Sequence, residues 1–386
     1  MLKRYKYRVY PTKDQVQHFN QTFGSVRVVY NKYVETNLTR GKLVSYSEAC
    51  RDLTALKHTP EYEWLNQVSS TALQQSLKDA TQGVKNFFKN PKRVRPPRFK
   101  KRGYRESYRV VGENSFQTRV LNRKWGTVRL PKIGEVKYRV DRPLPSKPSS
   151  VTVIKEPNGT IFVSFVVETT PITLPETPQK VAVDLGLKTY GVTVTNTGKV
   201  EELPNPRYYR KAEKKLGRLQ QVLSTKQKGS RNRDKARLKV AKQHQKIVNQ
   251  RKDFINKFVS RLVNENQVII TETLSPANMV KNHKLAKSIM DAGWGLFLTQ
   301  LTSKTQETGR EHVKVDPYYP SSKTCNKCGT INQTLALSDR EWVCACGTVL
   351  NRDLNACLNL LAAGRAERVN ALTSSNTGGE LLTSLG

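Results

Sequence analysis

The chain has 386 residues, and 67 lysines and arginines against 31 acidic residues give it a formal net charge of +36 at pH 7. A compact fold with this excess repels itself unless a polyanion neutralises it, and a nucleic-acid phosphate backbone is the commonest polyanion. The sequence has no run of about 18 apolar residues that could span a bilayer, and residues 1–5 lack the hydrophobic core of a signal peptide. We therefore expect a cytoplasmic, nucleoid-associated protein without a membrane partner.

Composition also bounds the architecture. With 37% hydrophobic residues the chain can form cores, and its length, about two to three times a typical domain, predicts two or three domains. Six cysteines in a cytoplasmic setting argue against a disulfide framework. Four of them cluster between Cys325 and Cys346, which indicates a metal site, whereas Cys50 and Cys357 stand alone and are expected to be buried as apolar side chains.

The N-terminal part predicts a strand followed by a helical domain. Residues 1–10 alternate basic with apolar or aromatic side chains, and Pro11 ends the run. Apolar residues then recur at spacings of three and four as far as Phe88, so residues 11–104 are assigned to a helical domain that ends in a basic loop.

The basic loop has a composition suited to nucleic acid. Between Lys85 and Arg109 there are eleven lysines and arginines and one acidic residue, with aromatic rings interleaved. Such a loop can contact phosphates and stack on bases, although a solvated linker can have the same composition. The candidate contacts are Arg98, Lys100, Lys101 and Arg102.

Residues 105–172 change to the period of two that is typical of strands, with the clearest runs at 126–130, 135–140, 151–154 and 161–167. This pattern predicts a β-barrel or sheet module, and residues 1–10 are expected to supply its N-terminal strand. Prolines 171, 175 and 178 predict a linker to the next domain.

The C-terminal part predicts strand, strand, a long helical segment, strand, helix and strand across residues 178–320. Residues 207–261 contain nineteen lysines and arginines against three acidic residues, and Gly229-Ser230 is expected to divide them into two antiparallel helices. A helix is predicted from Leu354 to Ala363. The tail at 367–386 is rich in serine, threonine, glycine and asparagine and is expected to be disordered.

Three acidic residues lie at the ends of two predicted strands and at the start of the last predicted helix. Asp184 ends an apolar run, Glu272 ends a second one, and Asp353 opens the last helix. Each has an ordinary alternative, since Asp184 can be a turn residue and Asp353 a helix N-cap. If they converge, three carboxylates can hold two Mg²⁺ ions for phosphodiester hydrolysis, with Asp184 on the central strand bridging the ions.

The four clustered cysteines are Cys325, Cys328, Cys344 and Cys346. Two closely spaced thiol pairs favour a closed tetrahedral Zn²⁺ site of structural type, with an Fe–S cluster or free thiols as the alternative. The second pair has one residue between its thiols, which is tighter than the usual two. Because Asp353 follows Cys346 by only seven residues, loss of the metal is expected to disorder that carboxylate.

With these features together, the chain resembles the TnpB family of transposon-encoded RNA-guided DNA nucleases, which are related to type V CRISPR effectors. The resemblance covers nearly the whole chain. It includes residues 7–12 (YRVYPT), 69–75 (SSTALQQ), 183–188 (VDLGLK), 271–274 (TETL), 319–322 (YPSS) and 351–356 (NRDLNA). The sequence departs from the family pattern at the shortened Cys344–Cys346 pair, at Asn351, where aspartate is frequent, and at Cys357, where alanine is common.

The resemblance implies an α/β multidomain fold with four parts and a tail. These are a β-barrel wedge domain (1–10 and 105–172), a helical recognition domain (11–104), an RNase H-like (RuvC) nuclease domain (178–320 and 347–366) and a zinc-binding insertion (321–346). It implies a Mg²⁺-dependent endonuclease with Asp184, Glu272 and Asp353 as its catalytic carboxylates. Its partners would be a guide RNA from the transposon end and target double-stranded DNA, and we expect a monomer with its RNA.

The resemblance also implies that the protein reads a short DNA motif next to the target. Gln74, Gln75 and Lys78 on a predicted helix are candidates because amide and ammonium groups can reach base edges, although an exposed helix face is an equal alternative. The competing functions are a non-cleaving RNA-guided DNA-binding regulator, a compact type V CRISPR effector and a transposase that needs no RNA. Retention of all three acidic residues argues against the regulator.

Overall fold

The computed structural model describes residues 1–41, 43–112, 114–336 and 339–377. The chain divides into two compact units, Met1–Thr170 and Pro171–Gly386. Among the residues described, no helix is both long and apolar enough to cross a membrane.

The first unit contains the predicted helices. After strand β1 (Leu2–Arg8) come α1 (Lys13–Arg40), α2 (Tyr46–Lys57) and α3 (Ser70–Lys89). A capping box starts α1, because the Thr12 hydroxyl accepts a hydrogen bond from the Gln15 N–H and the Gln15 side chain accepts one from the Thr12 N–H. The apolar stripe of α1, which includes Phe19 and Phe23, is buried against that of α3. The helical periodicity between residues 13 and 88 is therefore confirmed.

Six further strands complete this unit: β2 (Glu106–Val111), β3 (Gln117–Val120), β4 (Trp125–Leu130), β5 (Gly134–Arg139), β6 (Ser150–Lys155) and β7 (Ile161–Glu168). They form an antiparallel sheet of order β1-β7-β6-β2 and a second sheet of order β3-β4-β5. An isolated bridge between Val9 and Tyr138 links the two sheets. All four predicted strand runs are confirmed, and β1 pairs with β7 from Leu2↔Glu168 to Arg8↔Phe162.

The second unit begins with an α/β layer. Its elements are β8 (Lys180–Leu185), β9 (Thr189–Thr195), β10 (Val200–Pro204), α4 (Tyr208–Ser224), α5 (Arg231–Glu265), β11 (Val268–Glu272), α6 (Pro276–Met279), α7 (His283–Ala292), α8 (Trp294–Thr308) and β12 (Glu311–Val315). The remaining elements are β13 (Glu341–Val343), β14 (Val349–Asn351) and α9 (Arg352–Thr377). The sheet has the order β10-β9-β8-β11-β12, in which β8, β11 and β12 run parallel and β8, β9 and β10 run antiparallel.

Both faces of this sheet are buried, as the alternating direction of strand side chains requires. Val181 and Val183 of β8 face a core formed with α5 and α8, whereas Ala182 faces a core formed with α9. Cys357 belongs to the α9 core and is fully buried, as the sequence predicts, whereas Cys50 in the first unit is half-buried. The central strand β8 is thus fixed from both sides just before Asp184.

The break between the two basic helices lies where the sequence predicts it. Gly229, at a positive φ of 86°, and Ser230, whose hydroxyl caps α5 by accepting from the Arg233 N–H, separate α4 from α5 as predicted.

The helix α9 continues to Thr377, so it extends beyond residue 367, where the disordered tail is predicted to begin. The alanine, arginine, glutamate and leucine residues just after position 364 are good helix formers. Residues 378–386 of the predicted tail lie outside the described residues.

The half-buried His312 of β12 is expected to make the stability of the second unit depend on pH. One ring nitrogen of His312 in β12 lies 3.0 Å from the Thr271 hydroxyl and the other 3.1 Å from the Thr302 hydroxyl, an arrangement that suits neutral imidazole. Burial, aided by the charge of Lys314, lowers the pKa of His312 to about 4. The folded state therefore binds fewer protons than the unfolded state between that value and the ordinary histidine pKa of about 6.5.

We expect the free energy of unfolding to fall as the pH is lowered through this window, and to fall less steeply in His312→Gln. Chemical denaturation of both proteins at several pH values between 7 and 4 measures the two slopes. His244, an exposed position on α5, provides the control variant His244→Gln. Equal slopes in the wild type and His312→Gln would contradict the assignment of a neutral buried imidazole.

Candidate active site and cysteine cluster

Two predicted carboxylates lie at the ends of neighbouring strands. The parallel pairing of β8 with β11 runs from Val268↔Lys180 to Thr271↔Val183, so the next residues along the two strands are Glu272 and Asp184. Side chains at the carboxyl ends of adjacent parallel strands meet at one edge of the sheet. The third carboxylate, Asp353, lies in the first turn of α9, which packs on β8.

Asp184 is half-buried, and its surroundings shift its pKa. Burial, followed by the charges of Glu272 and Asp353, raises the pKa of Asp184 to about 8, against a partial opposing effect of Arg352. An isolated surface aspartate would show no such shift. Glu272 and Asp353 thus act on Asp184 through their charges, although among the described residues only the four cysteines have their ligand atoms all within 4.8 Å of one another.

The helix-cap alternative for Asp353 is not observed. Asn351 takes that role, because its Oδ1 accepts the Leu354 N–H at 3.1 Å. The Asp353 carboxylate instead accepts from Nη1 of Arg340, at 3.2 Å through Oδ1 and at 3.4 Å through Oδ2. Asn351, where the family frequently has aspartate, therefore caps α9. The Asp353 carboxylate is thus available for other contacts.

Two further side chains contact the carboxylates, and the sequence did not single them out. Ser321 Oγ donates to Glu272 Oε1 at 2.7 Å, and Arg340 holds Asp353 as described. Ser321 lies shortly before Cys325, and Arg340 lies shortly before Cys344. Their closeness in sequence to the cysteines is the signal that points to them, but only the folded loops show which carboxylate each one contacts.

The four predicted cysteines come together. The sulfur atoms of Cys325, Cys328, Cys344 and Cys346 all lie within 4.8 Å of one another, so they can hold a metal ion. The shortened second pair builds a loop of the same type as the first. The Cys325 N–H donates to Thr330 O and the Cys344 N–H donates to Thr348 O, each at 2.9 Å.

A glycine at positive φ closes each of these loops, Gly329 at 80° and Gly347 at 79°. Left-handed backbone is readily adopted by glycine alone, which explains why each thiol pair is followed by one. The hydroxyl and N–H of Thr330 lower the pKa of the Cys328 thiol to about 6, which favours the thiolate form that binds metals.

A short hairpin in the module around the cysteines contains the second thiol pair. The strand β14 pairs with β13 from Glu341↔Asn351 to Val343↔Val349, and Leu350 is buried with Cys325, Cys344 and Trp342 in a small core. The second thiol loop is thus the turn of a hairpin whose returning strand ends at Asn351, and the predicted boundary of the insertion at residue 346 stays a prediction.

Two buried asparagines of α9 bind this module to the helix that carries Asp353. Asn355 accepts the Asn326 N–H at 3.0 Å and donates to Thr324 O at 2.7 Å. Asn359 donates to Ser321 O at 2.8 Å and to Thr324 O at 2.6 Å. The loop that leads to the first thiols is thus held by α9 and in turn holds Glu272 through Ser321.

The candidate nucleic-acid contacts lie in the first unit. Gln74 and Lys78 are exposed on α3, and Gln75 is half-buried there. Arg98, Lys100 and Lys101 line a cleft of about 720 Å³ together with the exposed rings of Phe99 and Tyr104, whereas Arg102 is exposed outside this lining. The Asn31 side chain fixes the backbone of Lys100 through hydrogen bonds of 2.8 and 3.1 Å, and the ammonium group of Lys100 lies over the ring of Tyr30.

Family models match three separate parts of the chain. Residues 164–283 match the OrfB_IS605 family, described as a probable transposase, and residues 294–360 match the Cas12f1-like TNB domain. Residues 1–40 match a family described as a helix-turn-helix domain, although here they form one strand and one helix.

Two similar proteins match nearly the whole chain. The chain is 40% identical over 371 residues to a candidate RNA-guided DNA endonuclease of Streptomyces pristinaespiralis, which covers 94% of this chain and 90% of the relative. It is 31% identical over 385 residues to a candidate RNA-guided DNA endonuclease of Escherichia coli K12, with 95% and 93% covered.

Solved structures share the fold at low sequence identity. The chain matches Cas12f1 from a complex with guide RNA and target DNA with a TM-score of 0.59 at 14% identity, over 90% of this chain and 83% of the other. It matches the mini-RNA-guided endonuclease Cas_phi3 with a TM-score of 0.55 at 8% identity, over 94% and 92%. The likeness therefore extends across both units.

Proposed function

Because this chain belongs to the TnpB family of RNA-guided DNA endonucleases, we propose that it cuts DNA at Asp184, Glu272 and Asp353 while a bound RNA selects the target. The observation that carries this proposal is the placement of three carboxylates on two adjacent strand ends and in the first turn of the helix α9, which packs on β8. A structural role would favour pairing each acidic residue with a cation, whereas the like charges of Glu272 and Asp353 add to the effect of burial in raising the pKa of the half-buried Asp184.

The donor set fits Mg²⁺. The site offers carboxylate oxygens, which Mg²⁺ prefers, and a bound cation would offset the burial and the like charges that raise the pKa of Asp184 to about 8. Asp184, Glu272 and Asp353 would hold the metal. Two bound Mg²⁺ ions would activate a water molecule and stabilise the leaving oxygen in phosphodiester hydrolysis.

The surrounding side chains prepare these ligands. The Ser321 hydroxyl orients Glu272 by its hydrogen bond, and Arg340 orients Asp353. Burial raises the pKa of the Cys357 thiol, so it stays neutral beneath Asp184 and donates to Ala182 O and Val192 O. These contacts hold the carboxylates in place before the metal and the DNA arrive.

The cysteine cluster has the donor set of a structural Zn²⁺ site. Four thiols within 4.8 Å of one another match the closed tetrahedral sites that zinc prefers, and they leave no position for a substrate. Zinc would therefore act on the active site indirectly, through the loop that α9 and Glu272 share.

The expected partners are a guide RNA from the transposon end and target double-stranded DNA. The helices α4 and α5 and the cleft around Arg98 would contact phosphates of the RNA and of its duplex with DNA. Gln74, Gln75 and Lys78 are the candidates for reading the adjacent DNA motif. We expect a monomer with its RNA, in the cytoplasm and associated with the nucleoid.

The direct test is to isolate the protein from its host, sequence any RNA that co-purifies, and replace the guide portion of that RNA. We expect the purified complex to cut a DNA that matches the new guide, in the presence of Mg²⁺, and no longer the original target. Protein that carries no defined RNA would contradict RNA guidance. Guided DNA binding without cutting would instead identify a non-cleaving regulator.

A further inference from the structure

A second basic cleft lies in the nuclease unit, between the loop that follows β8 and the start of α4. We name it the Arg207 cleft, and its cations are Lys188, Arg207 and Arg210. Its volume is about 330 Å³, within the roughly 300–1,000 Å³ typical of ligand clefts. All three cationic residues are exposed.

The acidic residue at the base of the Arg207 cleft does not neutralise it. Asp291 is only 6% exposed, and its carboxylate accepts from the N–H groups of Tyr209 and Arg210, at 2.8 and 3.1 Å, and from Arg251 at 3.3 Å. These donors already offset its charge. Among the residues that the structure describes, Lys188 and Arg207 have no ion-pair partner.

The backbone at Arg207 is held in a conformation that arginine rarely adopts. Its φ of 48° and ψ of 49° lie in the left-handed region, which costs free energy for a residue with a Cβ. Asn205 stabilises this conformation, because its Oδ1 accepts the Arg207 N–H at 3.2 Å while its Nδ2 donates to Leu187 O at 3.0 Å. Non-glycine residues in this region cluster at ligand sites, where the surrounding structure maintains the strain.

The same hydrogen bonds connect the Arg207 cleft to the carboxylates. Leu187 follows Asp184 by three residues in the loop after β8, so Asn205 joins the active-site loop directly to the backbone of Arg207. A group bound by Lys188 and Arg207 would therefore lie beside the loop that follows the strand of Asp184.

We propose that the Arg207 cleft binds one phosphodiester group of the DNA strand that the carboxylates cut, and so positions that strand. The chemistry that selects this ligand is an arginine fork with a nearby lysine and no available carboxylate, which matches a phosphate anion. The inference rests on the proposed function, and Arg207 acts in it as a positioning residue rather than a catalytic one.

The test combines Arg207→Gly with DNA substrates in which single phosphates of the cut strand are replaced by neutral methylphosphonates. Glycine accepts a positive φ, so the variant removes the guanidinium while the backbone is retained. In the wild type we expect one methylphosphonate near the cut to lower the cleavage rate roughly tenfold. In Arg207→Gly we expect a similar loss with the unmodified DNA and no further loss at that position.

Three controls make the result specific. Lys199→Ala removes an exposed cation from the turn between β9 and β10, outside the cleft, and it should retain the methylphosphonate effect. Arg207→Lys keeps the charge and should restore part of the rate, which a purely structural role would not predict. A thermal midpoint in Arg207→Gly equal to or above that of the wild type shows that the fold is intact.

The contrary outcomes are distinct. If Arg207→Gly cuts at the wild-type rate with the same methylphosphonate pattern, the Arg207 cleft does not contact the cut strand. If only methylphosphonates in the RNA show the coupling with Arg207, the cleft binds RNA and the proposal is wrong. Failure of the proposed function would appear differently, as wild-type protein that does not cut any guided target.

Discussion

Asp184→Asn is expected to abolish guided DNA cleavage while the bound RNA is retained. Asparagine has nearly the size of aspartate but lacks the charge needed to hold Mg²⁺ on the central strand. Loss of a residue that acts as one unit with others commonly lowers the rate on the order of 10³-fold or more. Single-turnover cleavage of a matched DNA by the RNA-loaded variant measures the effect, and filter binding measures retention of RNA.

The same substitution is expected to stabilise the metal-free protein. Asp184 is half-buried, and Glu272 and Asp353 add like charges, so a neutral amide removes both the cost of burying a charge and the repulsion. We therefore expect a higher thermal midpoint for Asp184→Asn than for the wild type in EDTA at pH 8. An inactive variant that is also more stable cannot be explained by misfolding.

The matched control is Asp253→Asn, which neutralises an exposed acidic residue of α5 that pairs with Lys257 in the same unit. It should cut at the wild-type rate. Retained cutting by purified Asp184→Asn would show that the catalytic assignment is wrong. Joint loss of cutting and of RNA would indicate that Asp184 supports the fold rather than the chemistry.

The positions of the two strand-end carboxylates could be predicted because they depend on local patterns. An apolar run that ends in an acidic residue predicts a buried strand with a carboxylate at its edge, and the two such strands are neighbours in the sheet. Asp353, at the start of the last predicted helix, had the helix-cap alternative, and the resemblance to a known family favoured the catalytic role. The local pattern at residues 351–353 allowed either residue to cap α9, and only the backbone geometry assigns that role to Asn351.

The contacts that orient the carboxylates could not be predicted, for a physical reason. Ser321 and Arg340 reach Glu272 and Asp353 because the cysteine module folds back onto α9, through hydrogen bonds to Asn355 and Asn359. Such contacts depend on the path of irregular loops, which has no periodic signature in sequence. The strand β14 has only three residues, which is too short for its alternation to be recognised in the sequence.

Removal of the metal from the cysteine cluster is expected to inactivate the distant carboxylates. In Cys325→Ser a buried thiol at the end of the loop that carries Ser321 loses its metal bond. The loop then loosens, so Glu272 loses its hydrogen bond and Asn359 loses its partners. We expect bound zinc to fall from roughly one equivalent to little or none, and cleavage to fall on the order of 100-fold. Elemental analysis and single-turnover cleavage measure the two quantities.

Two variants separate this coupling from a general loss of stability. Cys50→Ser changes a half-buried cysteine of the first unit and should retain both zinc and activity. Ser321→Ala should retain zinc and lower cleavage roughly tenfold, because it removes only the hydrogen bond to Glu272. If Cys325→Ser loses zinc but cuts at the wild-type rate, the module does not position the carboxylates. If Ser321→Ala has no effect while Cys325→Ser inactivates, the coupling runs through α9 and Asp353 rather than through Glu272.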